Sequence, residues 1–127
     1  MSAIQYTRAA VEMEERAEDI TPYEVITLLF DGALERVEQA KLSLDCGNEN
    51  EAGILLGKIV GIINGLRESL DLEKGGDIAA NLMELYDYMI ARLSEAEADT
   101  GKAILTETGG LLADLKESWI GVGEHAA

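Results

Sequence analysis

The chain has 127 residues, of which 47% are hydrophobic and 5% aromatic, with a single proline. This length suits one domain with one core, and the aliphatic composition favours packed helices over strands and over disorder. Ten basic against 25 acidic residues leave a formal net charge of -15, so the surface should repel nucleic acid and anionic membranes.

The most apolar stretch, residues 52–66, is too short to be a membrane helix. Its 15 residues rise about 22 Å, against a hydrocarbon core of about 30 Å, and Lys58 would lie in its middle. The N-terminus carries acids where a signal peptide needs an apolar run, and the lone Cys46 cannot form an internal disulfide. We therefore predict a cytoplasmic protein without membrane insertion or a nucleic-acid partner.

Residues 1–20 carry a thin apolar stripe among many charges, which predicts a short N-terminal helix or mobile arm. The first strong helix start is at Thr21, which can cap a helix whose first position is Pro22 and whose Glu24 completes a capping box. This helix should end at residues 46–48. Its core stripe repeats at steps of three and four and comprises Ile26, Leu29, Phe30, Ala33, Val37, Ala40 and Leu44.

The apolar periodicity of the sequence predicts three more helices. A second is predicted from about residue 51 to 72, with Gly75 and Gly76 as terminators and Asp77 as the cap of a third helix over residues 78–98. The last is predicted over residues 102–120, before a frayed tail at 121–127. The predicted core stripes are Ile78, Leu82, Leu85, Met89, Leu93 and Ala96 in the third helix and Ile104, Thr108, Leu111, Leu115 and Trp119 in the fourth.

Short connections between long helices favour antiparallel neighbours. We therefore predict an all-α fold in which residues 1–127 form one domain, an antiparallel up-down four-helix bundle with an additional short N-terminal helix or arm.

Gly53, Gly57, Gly61 and Gly65 recur every four residues in a helix whose polar side chains between residues 53 and 66 are only Lys58 and Asn64. Each glycine costs about 1 kcal/mol relative to alanine, which close approach by another helix could offset. The helix is either central in the core, covered by the arm, or a surface for another chain, and periodicity leaves these alternatives open.

Two neighbouring stripes extend this apolar surface. Val25, Leu28 and Gly32 lie off the core line of the first long helix, and Ala79, Met83, Tyr86 and Ile90 do so in the third. They either widen the core or form a groove for an amphipathic helix that anchors at steps of three and four.

Groups suited to catalysis are scarce. The single histidine, His125, lies in the predicted tail, and the acids around Cys46 should disfavour its reactive thiolate. We predict no catalytic, cofactor or metal site and no enzymatic activity.

Several motifs in order along the chain resemble the FliS family of flagellin export chaperones. They are Thr21-Pro22-Tyr23-Glu24, Leu29-Phe30-Asp31-Gly32-Ala33, Ile62-Ile63-Asn64-Gly65-Leu66-Arg67-Glu68-Ser69-Leu70-Asp71, Gly75-Gly76-Asp77-Ile78-Ala79-Ala80-Asn81-Leu82, Leu85-Tyr86-Asp87-Tyr88-Met89 and Glu117-Ser118-Trp119.

This resemblance implies a cytoplasmic, non-enzymatic chaperone that binds the disordered C-terminal segment of flagellin, prevents premature polymerisation and assists flagellar type III export. It also implies an N-terminal segment, with Tyr6 matching a tyrosine of that arm, that covers part of the surface when the chaperone is empty. Export-gate components or a co-chaperone are further candidate partners. The predicted partner-binding residues are Ile4, Tyr6, Val25, Leu28, Leu29, Ile54, Gly57, Gly61, Ile62, Asn64, Ala79, Leu82, Met83 and Tyr86.

The alternative hypothesis is a structural or regulatory homo-oligomer in which the same apolar faces pair with copies of themselves, the simplest form being a homodimer.

Overall fold

The structure is a computed structural model that describes the backbone of residues 21–126 and the side chains of residues 21–122. Within this range the chain forms four helices and no strand: α1 (Pro22–Asp45), α2 (Glu49–Glu68), α3 (Leu72–Ser94) and α4 (Gly101–Ala126). The all-α prediction is confirmed for this part of the chain. The predicted arm, residues 1–20, lies outside it.

Side-chain caps fix where three of the helices begin. Thr21 Oγ1 accepts a hydrogen bond from the Glu24 N–H at 3.1 Å, as its place before Pro22 predicted. Asn48 caps α2 in the same way through the Glu51 N–H, also at 3.1 Å. Asp71 caps α3 by accepting from two backbone N–H groups. In these three helices a polar residue just before the first turn therefore accepts hydrogen bonds from backbone N–H groups that have no partner within the helix.

The boundary between the second and third helices was predicted wrongly. The second helix ends at Glu68 and not near residue 72, because Asp71 caps a new helix. The third begins at Leu72 and not at Ile78, and it ends at Ser94 rather than near residue 98. Gly76 interrupts it with φ 52° and ψ -129°, so one helical turn precedes a bend and the main helix follows.

The helices contact one another in a closed circuit. α1 packs against α2 and α4, and α3 packs against the same two helices. α1 and α4 run antiparallel, since Tyr23 at the start of α1 stacks on Trp119 late in α4. At the opposite ends of the two helices Lys102 Nζ lies 2.9 Å from Asp45 Oδ1.

The core lies among these four helices. The predicted α1 stripe contributes buried Phe30, Ala33, Val37 and Ala40. In α4 the predicted Ile104 and Thr108 are buried, and so are Leu105 and Leu112, which the predicted stripe omitted. The buried strip of α4 is broader than predicted because this helix packs on both α1 and α3.

Two glycines let α1 and α4 approach closely. A Cβ atom at Gly101 would lie 2.9 Å from Leu44 Cδ1, and one at Gly109 would lie 3.0 Å from Val37 Cγ1. A Cβ atom at Gly101 would require the Leu44 side chain to move, and one at Gly109 would require Val37 to shift by a few tenths of an ångström. Gly109, expected only to soften the last helix, is part of its packing.

Candidate partner-binding surfaces

An apolar cleft of about 1060 Å³ opens at the end of the molecule where α1 begins and α4 approaches its C-terminus. All four helices and the connection between α2 and α3 contribute to it. We call this cavity the apolar cleft; its lining residues are Pro22, Tyr23, Val25, Ile26, Phe30, Leu66, Ser69, Leu70, Asp71, Lys74, Gly75, Ile78, Ala79, Leu82, Tyr86, Leu115, Ser118, Trp119 and Val122.

One wall of the apolar cleft is an aromatic pair. The rings of Tyr23 and Trp119 stack with centroids 5.1 Å apart and an interplanar angle of 18°. Trp119 Nε1 donates to the Tyr23 carbonyl oxygen at 3.2 Å, and the Tyr23 hydroxyl donates to the Ile120 carbonyl oxygen at 3.3 Å. The polar atoms of both rings therefore bind backbone, which leaves ring surface for apolar contact.

The inner surface of the cleft is continuous with the core, because Phe30, Leu66 and Tyr86 belong to both. Its rim carries aliphatic side chains that no other part of the described chain covers. Ile78 is 74% exposed and Val122 57% exposed. Ile78 was predicted to face the core, and this prediction is wrong: the bend at Gly76 leaves it at the mouth of the cleft.

Tyr86 brings a hydroxyl into this apolar surface without bringing a charge. Burial raises the pKa of the Tyr86 phenol above its ordinary value, because the phenolate would lose its hydration. The ring is therefore neutral at physiological pH and suits apolar contact.

The charged side chains that line the apolar cleft lie at its mouth. Among its lining residues only Asp71 and Lys74 are ionisable apart from the two tyrosines. Asp71 Oδ1 accepts from the N–H groups of Glu73 and Lys74, each at 3.1 Å, so this carboxylate serves the start of α3.

The second apolar surface is the outer face of α2, which we call the glycine ridge: Gly53, Gly57, Gly61 and Gly65. A Cβ atom at any of the first three would meet nothing within 4 Å, whereas one at Gly65 would lie 3.9 Å from Leu29 Cδ1. Ile54 beside them is 57% exposed. Among the described residues the ridge is therefore uncovered over most of its length, so α2 is not a central helix.

A third concavity, about 700 Å³ in volume, lies between α1 and α2 and is more polar. We call it the polar groove; it is lined by Glu35, Arg36, Gln39, Leu42, Ser43, Cys46, Asn48, Glu51, Leu55 and Lys58. Leu42 is 64% exposed at its edge. None of these residues lines the apolar cleft.

Some of the predicted binding residues lie on the first two surfaces, and the others lie elsewhere. Val25, Ala79, Leu82 and Tyr86 line the apolar cleft. Gly57, Gly61, Ile54 and Asn64 lie on the exposed face of α2, and Leu28 is exposed on α1. Leu29 and Ile62 are half-buried where α1 meets α2, Met83 is half-buried on α3, and Ile4 and Tyr6 fall outside the described residues.

The residues that prediction missed are mostly those of the cleft itself. Tyr23 and Trp119 are 96 positions apart, and no spacing rule joins them. Lys74 and Val122 lie near helix ends, where helical periodicity gives weak guidance. One signal in the sequence could have identified this pair. Tyr23 lies near the start of the first long helix and Trp119 near the end of the last, and antiparallel packing brings these two ends together.

A polar cluster, which does not line the cleft, joins α3 to α4. Glu107 accepts from the Tyr88 hydroxyl and from Arg92 Nε, both at 2.8 Å, and Arg92 Nη1 also donates to Glu95 at 3.1 Å. The hydrogen bond from Arg92, followed by that from Tyr88, lowers the pKa of the Glu107 carboxyl. The hydrogen bond to Glu107 raises the pKa of Tyr88. These hydrogen bonds from Tyr88 and Arg92 to Glu107 link α3 to α4.

No helix in residues 21–126 has the length and apolar run that a bilayer crossing requires. Among residues 21–122, whose side chains the structure describes, no three or more histidine, cysteine or acidic side chains are arranged to hold a metal ion.

Comparison with known proteins gives one consistent result. The sequence profile of the family described as "Flagellar protein FliS" matches residues 4–126. The "Flagellar secretion chaperone FliSB" of Pseudomonas aeruginosa is 46% identical over 112 residues, which cover 88% of this chain and 89% of that protein. The "Flagellar secretion chaperone FliS" of Salmonella typhimurium is 41% identical over 120 residues, covering 94% and 89%. That of Vibrio cholerae is 33% identical over 109 residues, covering 86% and 80%.

Proposed function

The chain belongs to the FliS family of flagellar proteins, and from this premise we propose that it is a cytoplasmic, non-enzymatic chaperone that binds the disordered C-terminal segment of flagellin. Binding would keep flagellin from polymerising before its export through the flagellar secretion apparatus. The observation that carries the proposal is the apolar cleft, whose aliphatic rim the described chain leaves exposed.

The physical requirement for such a chaperone is a large apolar surface. A disordered segment loses conformational entropy when it becomes helical, and only extensive apolar burial can offset that loss. The apolar cleft and the glycine ridge lie on different parts of the fold. We propose that the segment forms amphipathic helices, one seated in the cleft and one against the ridge, in the helix-in-groove mode.

The glycine ridge suits this role because it brings the backbone of α2 within reach of a docked helix. Glycines in a helix interior cost about 1 kcal/mol each relative to alanine. At Gly53, Gly57 and Gly61 no atom of the described chain lies within 4 Å of the place that a Cβ atom would occupy, so close packing within that part of the chain does not offset the cost. Close packing against a partner helix would supply the compensation.

We further propose that the four helices form an up-down bundle to which residues 1–20 add an arm. The described chain begins at Thr21, next to Pro22 and Tyr23 in the wall of the cleft. An arm attached there can reach the cleft, so we propose that Ile4 and Tyr6 occupy it in the empty chaperone and yield to flagellin. Export-gate components or a co-chaperone would then bind surfaces that flagellin leaves free.

The test compares two exposed aliphatic residues on different surfaces. Ile78→Asp places a charge at the mouth of the apolar cleft, and Leu42→Asp places the same charge at the edge of the polar groove. Because both side chains are more than half exposed, both variants should fold. Affinity for a peptide of the flagellin C-terminus is measured by calorimetry, and helix formation by circular dichroism.

We expect a one-to-one complex with increased helicity for the wild-type chain and for Leu42→Asp, and an affinity loss of about tenfold or more for Ile78→Asp. Equal affinities for the two variants would place binding elsewhere. A wild-type chain that binds no peptide, and whose mass shows self-association that Ile78→Asp abolishes, would support the homo-oligomer instead.

A further inference from the structure

Lys74 differs from five other cations of the described chain in forming no ion pair with a described acidic side chain. In the described chain Lys41, Arg67, Arg92, Lys102 and Lys116 each form an ion pair with an acidic side chain. Lys74 and Lys58 form none with the described residues. Of these two lysines, only Lys74 lines the apolar cleft.

The position of Lys74 adds to this. It lies in the one helical turn that precedes the bend at Gly76, and it lines the apolar cleft. The neighbouring Asp71 carboxylate lies at the same mouth, but its Oδ1 accepts the Glu73 and Lys74 backbone N–H groups. The ammonium group of Lys74 therefore favours an incoming negative charge at this mouth.

Two glycines hold the turn that carries Lys74 at the cleft. Gly76 has φ 52°, which turns the chain out of the line of the main part of α3. A Cβ atom at Gly75 would lie 2.6 Å from Ala79 Cβ, so the bend is too tight for a side chain there. Lys74 and Gly75 consequently belong to the lining of the apolar cleft.

We infer that Lys74 binds the negatively charged C-terminal end of the helix docked in the apolar cleft and so sets the direction in which that helix lies. A helix carries partial negative charge at its C-terminus, and the last residue of a chain adds an α-carboxylate. The opposite direction would bring a partial positive charge toward Lys74. This inference rests on the proposed function, and it assigns to the cleft the helix that ends the flagellin chain.

The experiment measures two forms of one flagellin C-terminal peptide, the free acid and the C-terminal amide, against four full-length proteins. These are the wild type, Lys74→Gln, Lys74→Glu and the control Lys58→Glu, which makes the same charge change in the polar groove. We expect the wild type and Lys58→Glu to prefer the free acid roughly twofold to fivefold, the range of an exposed ion pair. Lys74→Gln should lose this preference and Lys74→Glu should reverse it.

A third peptide, amidated and ending in lysine, carries a positive charge at the end where the free acid carries a negative one. The Lys74→Glu protein should bind this peptide more tightly than the wild type does. If Lys74→Gln keeps the wild-type ratio of free acid to amide, or if Lys74→Glu weakens all peptides equally, the inferred direction is wrong although the chaperone function stands. If the wild type binds no form of the peptide, the proposed function itself fails.

Discussion

The indole of Trp119 donates its N–H to the backbone carbonyl of Tyr23, and the phenol of Tyr23 donates to the backbone of Ile120. Trp119 of α4 is thus hydrogen-bonded to the backbone of α1, Tyr23 of α1 is hydrogen-bonded to the backbone of α4, and the two rings stack on each other. The start of α1 and the end of α4 are joined at one point. The same rings form a wall of the apolar cleft, so stability and ligand binding depend on one structural unit.

Two substitutions at Trp119 separate the contribution of its ring to stability from the contribution of its indole N–H. Trp119→Ala removes the stacking and part of the core packing, and we expect the free energy of unfolding to fall by about 2–3 kcal/mol, less than for a fully buried Trp. Trp119→Phe keeps an aromatic ring and should cost about 0.5–1 kcal/mol. The smaller loss is expected because the Thr27 hydroxyl also donates to the Tyr23 carbonyl. Urea denaturation followed by circular dichroism measures both, and equal losses would show that the ring contributes nothing.

Trp119 is also the only tryptophan of the chain, so its fluorescence reports on the cleft alone. A helix seated in the cleft would exclude water from the half-buried indole. We expect the emission maximum to move to shorter wavelength as flagellin peptide is added, saturating at one peptide per chain. Ile78→Asp should suppress the shift and Leu42→Asp should retain it. An unchanged spectrum despite calorimetric binding would place the peptide away from Trp119.

Glycines of identical chemistry should respond oppositely to substitution in this fold. Gly57→Ala and Gly61→Ala add a methyl group where no atom lies within 4 Å, and each should raise the free energy of unfolding by about 0.5–1 kcal/mol through helix propensity. Gly109→Ala should lose stability or gain none, because its Cβ would lie 3.0 Å from Val37 Cγ1. Thermal denaturation of the three variants checks this.

Larger side chains then separate folding from binding at the glycine ridge. Gly57→Leu and Gly61→Leu should fold, since the space beside them is open in the described structure, yet they should weaken flagellin peptide binding about tenfold or more by holding a docked helix away from α2. Gly110→Leu provides the control, because Gly110 is also exposed and open but lies on α4. Unfolding of the ridge variants would indicate that the ridge packs against another part of the chain.

Local chemistry made much of this fold predictable. The Thr21 cap follows from the order of a threonine, a proline and a glutamate, and the buried stripe of α1 follows from spacing alone. The start of α3 was missed because both Asp71 and Asp77 can cap a helix. Asp71 caps it in the structure, with an extra turn before Gly76.

The candidate site was less predictable because it depends on contacts between distant residues. The periodicity of α2 is the same whether its glycines face a neighbouring helix or solvent, and only the packing of α1 and α3 decides between them. The cleft likewise needs both Tyr23 and Trp119, which only the antiparallel pairing of α1 and α4 brings together. Sequence identified the apolar surplus, and tertiary structure determined where it is exposed.

The bend in α3 depends on a backbone conformation that only glycine adopts readily. Gly76→Ala must adopt φ near 52° with a side chain, and we expect a loss of about 1–3 kcal/mol in the free energy of unfolding. If the turn before Gly76 straightens instead, Lys74 leaves the cleft mouth and peptide affinity falls while stability changes little. Urea denaturation and calorimetry on the same sample distinguish these results, and a variant unchanged in both would show that the bend is not required.

The Tyr88–Arg92–Glu107 cluster predicts a specific dependence of stability on pH. Hydrogen bonds from Arg92 and then Tyr88 lower the pKa of Glu107 in the folded chain, so the folded state binds the Glu107 proton more weakly than the unfolded state does. The resulting stabilisation is fully present above the unfolded pKa of about 4.3 and is lost as the pH falls through the lower folded value. Glu107→Gln lacks this carboxylate at every pH.

We therefore expect the stability difference between the wild type and Glu107→Gln to be constant near neutrality and to shrink as the pH falls below the unfolded pKa of about 4.3. Glu117→Gln, an exposed change on the same helix at a residue without an ion pair to the described chain, controls for the reduced net negative charge. Urea denaturation across this pH range gives all three curves. A Glu107→Gln curve parallel to that of the wild type throughout would mean that the cluster does not hold α3 to α4 in solution.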